Sequence, residues 1–408
     1  MKLLIADFVL TCNATFEIIE KGGVVFDETI IDIGQSDALQ ARYPDATLIQ
    51  TPSHSVILPG LINAHVHLEF SANRTMLRYG DFIPWLQSVI QHREELSALA
   101  THEHIAAALR EMLQSGTTTL GAISSFGADL HACVQTPQRV VYFNEILGSA
   151  PSAVDAMYAD FASRFEDSKA HAGNRFIPAI SVHSPYSTHP ILAKKALQKA
   201  REEGCVVSTH FMESLAERAW LDNAEGDFQP FLSAFNPHAK PMCDALEYLA
   251  LFENVPTLFT HAVYADTEEL HALSDQKATL THCPVSNRLL GAGKLDVAKV
   301  LAAKINLTLG TDGLSSNTSL SLWDEMRSAL MMHYERDLTT LAKLLLQSVT
   351  CNAANALKLP CGSLEKDRYA DLIVATLPQA CDRETLIVQT LLHTRRMEAI
   401  YIHGEALC

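Results

Sequence analysis

Three histidines and an aspartate stand where apolar runs stop, and their side chains share one chemistry. His65 and His67 form an H-x-H pair that closes the run 58–67. His210 closes the run 205–210, and Asp312 closes 305–312. Three imidazoles and a carboxylate around one divalent cation leave a coordination position for a water, whose pKa the cation lowers. The donor set suits zinc and admits iron(II).

Each fragment alone has a plainer reading. An isolated H-x-H is as readily two loop histidines. His210, in Thr209-His-Phe-Met-Glu213, is otherwise a core histidine before a helix. Asp312 before Gly313 is a common turn signal. Two features favour the metal. A strand puts alternate residues on one face, so His65 and His67 can point together. The other donors recur at later strand ends. Glu213 then falls beside the cation with no ligand duty, where a partly dry carboxyl can have a raised pKa and shuttle protons. His261, ending 258–261, is either a further ligand or a hydrogen-bonding group for the ionising water. With four donors already present, the second role fits better.

The elements that must position these residues follow a strand-then-helix rhythm. Strands are predicted at 117–123, 139–147, 176–183, 206–210, 257–261, 278–282 and 305–311, and the run reaching His65 makes an eighth. Pro190 and Gly204 mark the start and stop of a helix over 190–203. A second helix, over 102–115, closes at Gly116. Eight such units suit a parallel (β/α)8 barrel, with its site at the C-terminal strand ends. The chain ends read as short β runs and are expected to pair in a small β-sandwich. The expected division is therefore 1–57 and 359–408 for the sandwich and 58–358 for the barrel. The long connections 68–100 and 211–256 read as lids or binding loops.

The 408 residues are 48% hydrophobic and carry a formal net charge of −16, ample for a large core and contrary to a nucleic-acid footprint. The same charge gives no attraction to anionic membranes, and no stretch reaches the length of a membrane span. The start has too short an apolar run for a signal peptide. Nine scattered cysteines without C-x-x-C argue for reduced thiols in a cytoplasmic protein rather than a disulfide framework. His102-Glu-His104 is not H-E-x-x-H. The zinc-deaminase signature H-x-E with P-C-x-x-C is missing, as are a Walker A loop and G-x-G-x-x-G.

Jointly, 59–67, 182–186, 209–213, 282–287, 310–317 and 362–374 resemble the amidohydrolase superfamily, in its mononuclear deaminase branch. The resemblance covers nearly the whole chain. It implies one metal held by His65, His67, His210 and Asp312, with Glu213, His261 and Asp312 handling protons. Within that branch the chain is similar to the deaminases of 6-amino-6-deoxyfutalosine, on the futalosine route to menaquinone. The supporting runs are 67–71, 79–82 with 85–86, 121–124 and 284–290. The substrate would be a small nucleoside, turned over to futalosine and ammonia. Glu69, Trp85, Glu145, His183 and Arg288 are the candidate substrate contacts. The resemblance implies a ribose hydroxyl contact for His183. Trp85 would stack on the base or aglycone, or simply pack in a lid. Arg288 replaces the apolar residue usual in the branch and either pairs with a substrate carboxylate or is structural. Guanine, methylthioadenosine or S-adenosylhomocysteine deamination and triazine dechlorination are rival activities on the same metal. A two-metal hydrolase is disfavoured, because Ser181-Val-His183-Ser184 offers no lysine to bridge two ions. An inactive scaffold on this fold would not be expected to keep every ligand. A homodimer is compatible with the sequence.

Overall fold

The computed structural model describes residues 1–72 and 75–407. Eight strands form one sheet: β1 (Leu61–Val66), β2 (Thr117–Ser124), β3 (Arg139–Ile146), β4 (Phe176–Val182), β5 (Val207–Phe211), β6 (Thr257–His261), β7 (Thr279–His282) and β8 (Asn306–Leu309). They are hydrogen bonded in sequence order. The registers from β3 to β8 are all parallel. The peptide N–H of Asp312 donates to His65 O at 3.1 Å, which brings the end of β8 to the end of β1. The result is a (β/α)8 barrel.

The strands explain their own sequences. β2, β3, β5 and β6 are buried at every position, so each reads as a continuous run rather than an alternating one. Five helices bear on the site: α1 (Phe82–Gln91), α2 (Pro190–Glu203), α3 (Leu215–Asn223), α4 (Phe228–Ser233) and α5 (Pro284–Leu289). In α2 the expected signals act as read. Pro190 sits in the first turn, and Gly204 stops the helix in the left-handed region at φ 69°. The connection 68–100 carries α1, and 211–256 carries α3 and α4, so both contain helix rather than open loop. Among the described residues, no helix is long and apolar enough to cross a membrane.

The chain divides into two compact units. One comprises Met1–Ala64, Arg110–Leu120 and Ser321–Cys408. It holds the mixed sheet made by the chain ends, in which Leu372–Thr376 lies between Met397–Ile402 and Ser55–Pro59, and Lys2–Leu10 joins the latter to Ile18–Phe26 and Ile30–Gln35. Leu4, Val24, Ile57, Leu372 and Val374 form the core on one face of this sheet. The other unit comprises His65–Leu109 and Gly121–Leu320. Every candidate site residue belongs to it.

Two glycines let the strand ends close. A Cβ on Gly310 would stand 2.8 Å from both the Cβ and the carbonyl oxygen of His65. A Cβ on Gly313 would stand 3.1 Å from the Cβ and carbonyl oxygen of His67. The glycines two before and one after Asp312 are therefore small because each faces one histidine of the pair. Gly310→Ala should destabilise the protein by about 1–3 kcal/mol through overpacking, read as a lower urea midpoint. An unchanged midpoint would show that the strand ends yield freely.

Candidate active site

The ring nitrogens of the three histidines and one aspartate oxygen face one another. His67 Nε2 lies 3.2 Å from His210 Nε2. Asp312 Oδ1 lies 3.6 Å from His67 Nε2 and 3.8 Å from His65 Nε2. Donors about 2.0–2.1 Å from a tetrahedral cation stand about 3.4 Å apart, so these separations fit a single ion. The far sides of the groups are held. His210 Nδ1 donates to the carbonyl of His183 at 2.9 Å, which leaves its Nε2 lone pair facing the cluster. His65 Nδ1 is 3.3 Å from Thr260 Oγ1. Asp312 Oδ2 accepts from Ser286 Oγ and Ser316 Oγ, each at 2.8 Å, and Oδ1 accepts from Gly313 N at 2.9 Å. Burial lowers the pKa of His65, His67 and His210, so their neutral, lone-pair-bearing forms prevail.

Beside this set lie Glu213, His261 and Asp312, with ligand-type atoms within 4.8 Å of one another. Their acidities diverge. Burial, then the charges of Asp312 and Glu217, push Glu213 well above the usual carboxyl range. Burial also works to raise Asp312, but His67, His65, His261 and His210 outweigh it and hold the carboxyl far below its ordinary value. Burial brings His261 down to about 4. Its Nδ1 bonds to Asn287 Oδ1 at 2.9 Å, and its Nε2 lies 3.5 Å from Glu213 Oε1. A carboxyl pushed towards its neutral form beside one pushed towards its ionised form is suited to give and take protons side by side. The backbone is bent to present them: Met212, His261 and Asp312 have φ of 49°, 73° and 57°. Left-handed conformations cost non-glycine residues roughly 1–2 kcal/mol each.

The other candidates differ in position. Glu145, at the end of β3, is fully buried and accepts from Ser125 Oγ at 2.6 Å and Ser181 Oγ at 3.3 Å. Burial raises its carboxyl, but His183, His67 and His210 bring it below the ordinary value. Glu145, His183 and His210 form a further group of clustered donors. With Nδ1 of His210 committed to a carbonyl, one lone pair remains, and it cannot serve two ions. His183 sits one residue past β4, its Nδ1 2.7 Å from Ser187 Oγ. Glu69 turns to the chain: its oxygens accept from the N–H groups of Ser125, Phe126 and Ala128 at 2.7, 3.1 and 2.8 Å. Burial and Asp129 push it to about 8 against those bonds. Trp85, half-buried on α1, donates its indole N–H to Ser315 O at 2.8 Å. From there Phe82, Phe228 and Tyr186 continue a line of ring contacts to His183. Arg288 lies exposed on α5, directly after the two residues that hold Asp312 and His261. No hydrogen bond or ion pair engages its guanidinium among the described residues.

Sequence reasoning passed over Ser286, Asn287, Ser316 and Glu217. The first three lie in recognisable motifs but have no partner that spacing could name. Glu217 has a visible signal: Ser214-x-x-Glu217 has the spacing of a helix-capping box.

Similarity to known proteins agrees with this geometry. A match to the Amidohydrolase family spans residues 56–407. The aminodeoxyfutalosine deaminase of a Nitratiruptor species is 44% identical over 95% of this chain and 95% of its own length. An adenosine deaminase of Helicobacter pylori is 36% identical over 98% of each chain. The crystal structure of Helicobacter pylori aminofutalosine deaminase in complex with methylthio-coformycin superposes with a TM-score of 0.95, at 35% identity and over 100% of both chains. Metal-clustering donors at the ends of barrel strands, and a family match that runs through all of them, make this chain a hydrolase of the amidohydrolase family.

Proposed function

We propose that the protein hydrolytically deaminates the adenine base of a nucleoside, converting 6-amino-6-deoxyfutalosine to futalosine and ammonia. What supports this is the placement of Glu213, His261 and Asp312 with their polar atoms within 4.8 Å of one another beside three further imidazoles, the two carboxyls being pushed in opposite directions by burial and by the rings. His65, His67, His210 and Asp312 would hold one divalent cation, zinc or iron(II). When bound, it lowers the pKa of a water that adds to C6 of the base.

The chain's own groups move the protons. Glu213, whose carboxyl burial pushes towards its neutral form, donates to N1 of the ring, so no negative charge builds there. His261 is neutral, and its ring is fixed through Asn287. Its Nε2 supports the water as it ionises. Asp312 takes the first proton of the water and passes it to the amine, which leaves as ammonia; the second, on the C6 hydroxyl, restores Glu213 as C6 becomes the oxo carbon. Glu145 and His183 present polar groups to the sugar. Glu69 shapes the pocket by holding residues 125–128, and the Trp85 face closes it. The substrate assignment follows the 44% identical relative, and with it goes our assignment of the enzyme to the cytoplasm and to the futalosine route to menaquinone. The Helicobacter relative described as an adenosine deaminase makes adenosine the comparison substrate.

Ammonia release from 6-amino-6-deoxyfutalosine, adenosine and methylthioadenosine tests the substrate, with 6-amino-6-deoxyfutalosine expected to have the highest kcat/KM. Equal or better turnover of adenosine would overturn that choice. Glu213→Gln should keep its metal and lose turnover by about 10²–10⁴-fold; near-wild-type kcat removes Glu213 from the mechanism.

Arg288 is an exposed cation on α5, and arginine suits planar carboxylates. Arg288→Met should raise KM about tenfold or more for the carboxylated nucleoside and leave KM for adenosine alone, a loss of ~1.4 kcal/mol or more. Equal effects on both substrates would make Arg288 structural.

The His261 reading has a stability signature. Its folded pKa, about 4, lies below the ordinary value of 6.5. Its contribution is therefore fully present above about pH 6.5 and is lost as the pH falls towards 4. Over that window His261→Asn should flatten the stability slope by up to about one proton, ~1.4 kcal/mol per pH unit. A mutant slope equal to the wild type would show that the imidazole does not stay neutral.

A further inference from the structure

The turn that carries Glu213 is built from strained backbone, and an unassigned buried acid holds it. Glu217 is completely buried in the first turn of α3. Its Oε1 accepts from the N–H of Met212 at 3.1 Å and its Oε2 from the N–H of Glu213 at 2.9 Å. Its own N–H donates to Ser214 Oγ at 3.1 Å, the cap of the helix. In a capping box the glutamate reaches back to the N–H of the cap residue. Here it reaches past Ser214 to the two residues before it.

Met212 is the left-handed residue at the end of β5. Its carbonyl accepts from Tyr264 N at 3.0 Å, and that of Phe211 accepts from Ala262 N at 2.8 Å. The ends of β5 and β6 are thus zipped together, one presenting Glu213 and the other His261. Glu217 secures the β5 side from behind. A carboxylate offers both N–H groups an acceptor oxygen. A glutamine offers one oxygen and one NH2, which cannot accept from the second N–H.

We propose that Glu217 is a positioning residue for the deamination, fixing the Met212–Glu213 backbone so that the Glu213 carboxyl is held at His261 and Asp312. The role rests on Glu213 as the proton donor described above, and Glu217 touches neither substrate nor metal. Losing the grip should misplace a proton donor by a fraction of an ångström to an ångström, a scale of error worth up to about a hundredfold in rate.

The test compares wild type, E213Q, E217Q and the double variant on whichever nucleoside of the panel the wild type turns over fastest, with metal content and thermal midpoint measured on each. E217Q should lose about 10- to 100-fold in kcat, with KM and metal content held within about twofold. If Glu217 acts through Glu213, the double variant should be no slower than E213Q alone, since the two residues work as a unit. E217D keeps both carboxyl oxygens but lacks the reach, and should fall as far as E217Q. Wild-type kcat in E217Q or in E217D overturns the proposal. So does a loss carried by KM or by metal, or losses that multiply in the double variant. If E213Q is itself near wild type, or the wild type turns over nothing in the panel, the functional reading fails and the positioning role falls with it.

Discussion

Four imidazoles and two carboxyls buried within a few ångströms of one another can coexist only if charge is strictly allotted. Desolvation penalises every ionised form, and neighbouring like charges penalise each other further. In the cluster, burial lowers the pKa of the rings and raises that of Glu213, while the neighbouring imidazoles hold Asp312 below its ordinary value. That allotment depends on hydrogen bonds placed outside the cluster. Ser286 and Ser316 stabilise the aspartate charge, Asn287 orients His261, and the carbonyl of His183 orients His210. A divalent ion of the kind proposed, held by the three histidines and Asp312, would complete the same scheme by replacing repulsion between lone pairs with shared coordination.

The fold serves this requirement through strand ends. A parallel barrel gathers residues far apart in sequence because each strand delivers its last side chains to one rim. At that rim the backbone leaves ordinary geometry. His261 and Asp312 are left-handed, and such strain persists only when the surroundings over-determine it. The bonds from Phe211 to Ala262, from Met212 to Tyr264 and from His65 to Asp312 supply that over-determination. Two glycines remove the side chains that would stand in its way.

Much of this is legible from residue order, and for a physical reason. Fully buried strands read as apolar runs, so their ends can be located to within a residue or two. Polar groups at those ends have to share a rim. The pairing of the chain ends is legible in the same way, as short β runs at both termini. What stays hidden are the relations between residues that no spacing encodes. Gly310 and Gly313 look like turn residues around Asp312, whereas they are small because His65 and His67 lie against them. Glu69, two residues after the H-x-H pair, reads as a substrate contact, yet its oxygens are engaged by N–H groups near position 125. Glu217 is visible as a capping residue, but its partners lie before the cap.

The bond from the Trp85 indole to Ser315 has an optical consequence. The chain contains three tryptophans. Trp220 and Trp323 are almost wholly buried, so their surroundings change little when a surface segment moves. Trp85 is only half-buried, and its N–H is tied to the loop that follows Asp312. Any excursion of α1 away from the barrel rim breaks that tie and wets one indole out of three. The molecule therefore carries its own fluorophore on the tie between α1 and the loop after Asp312, and any loosening of that tie can be followed by emission without an added label.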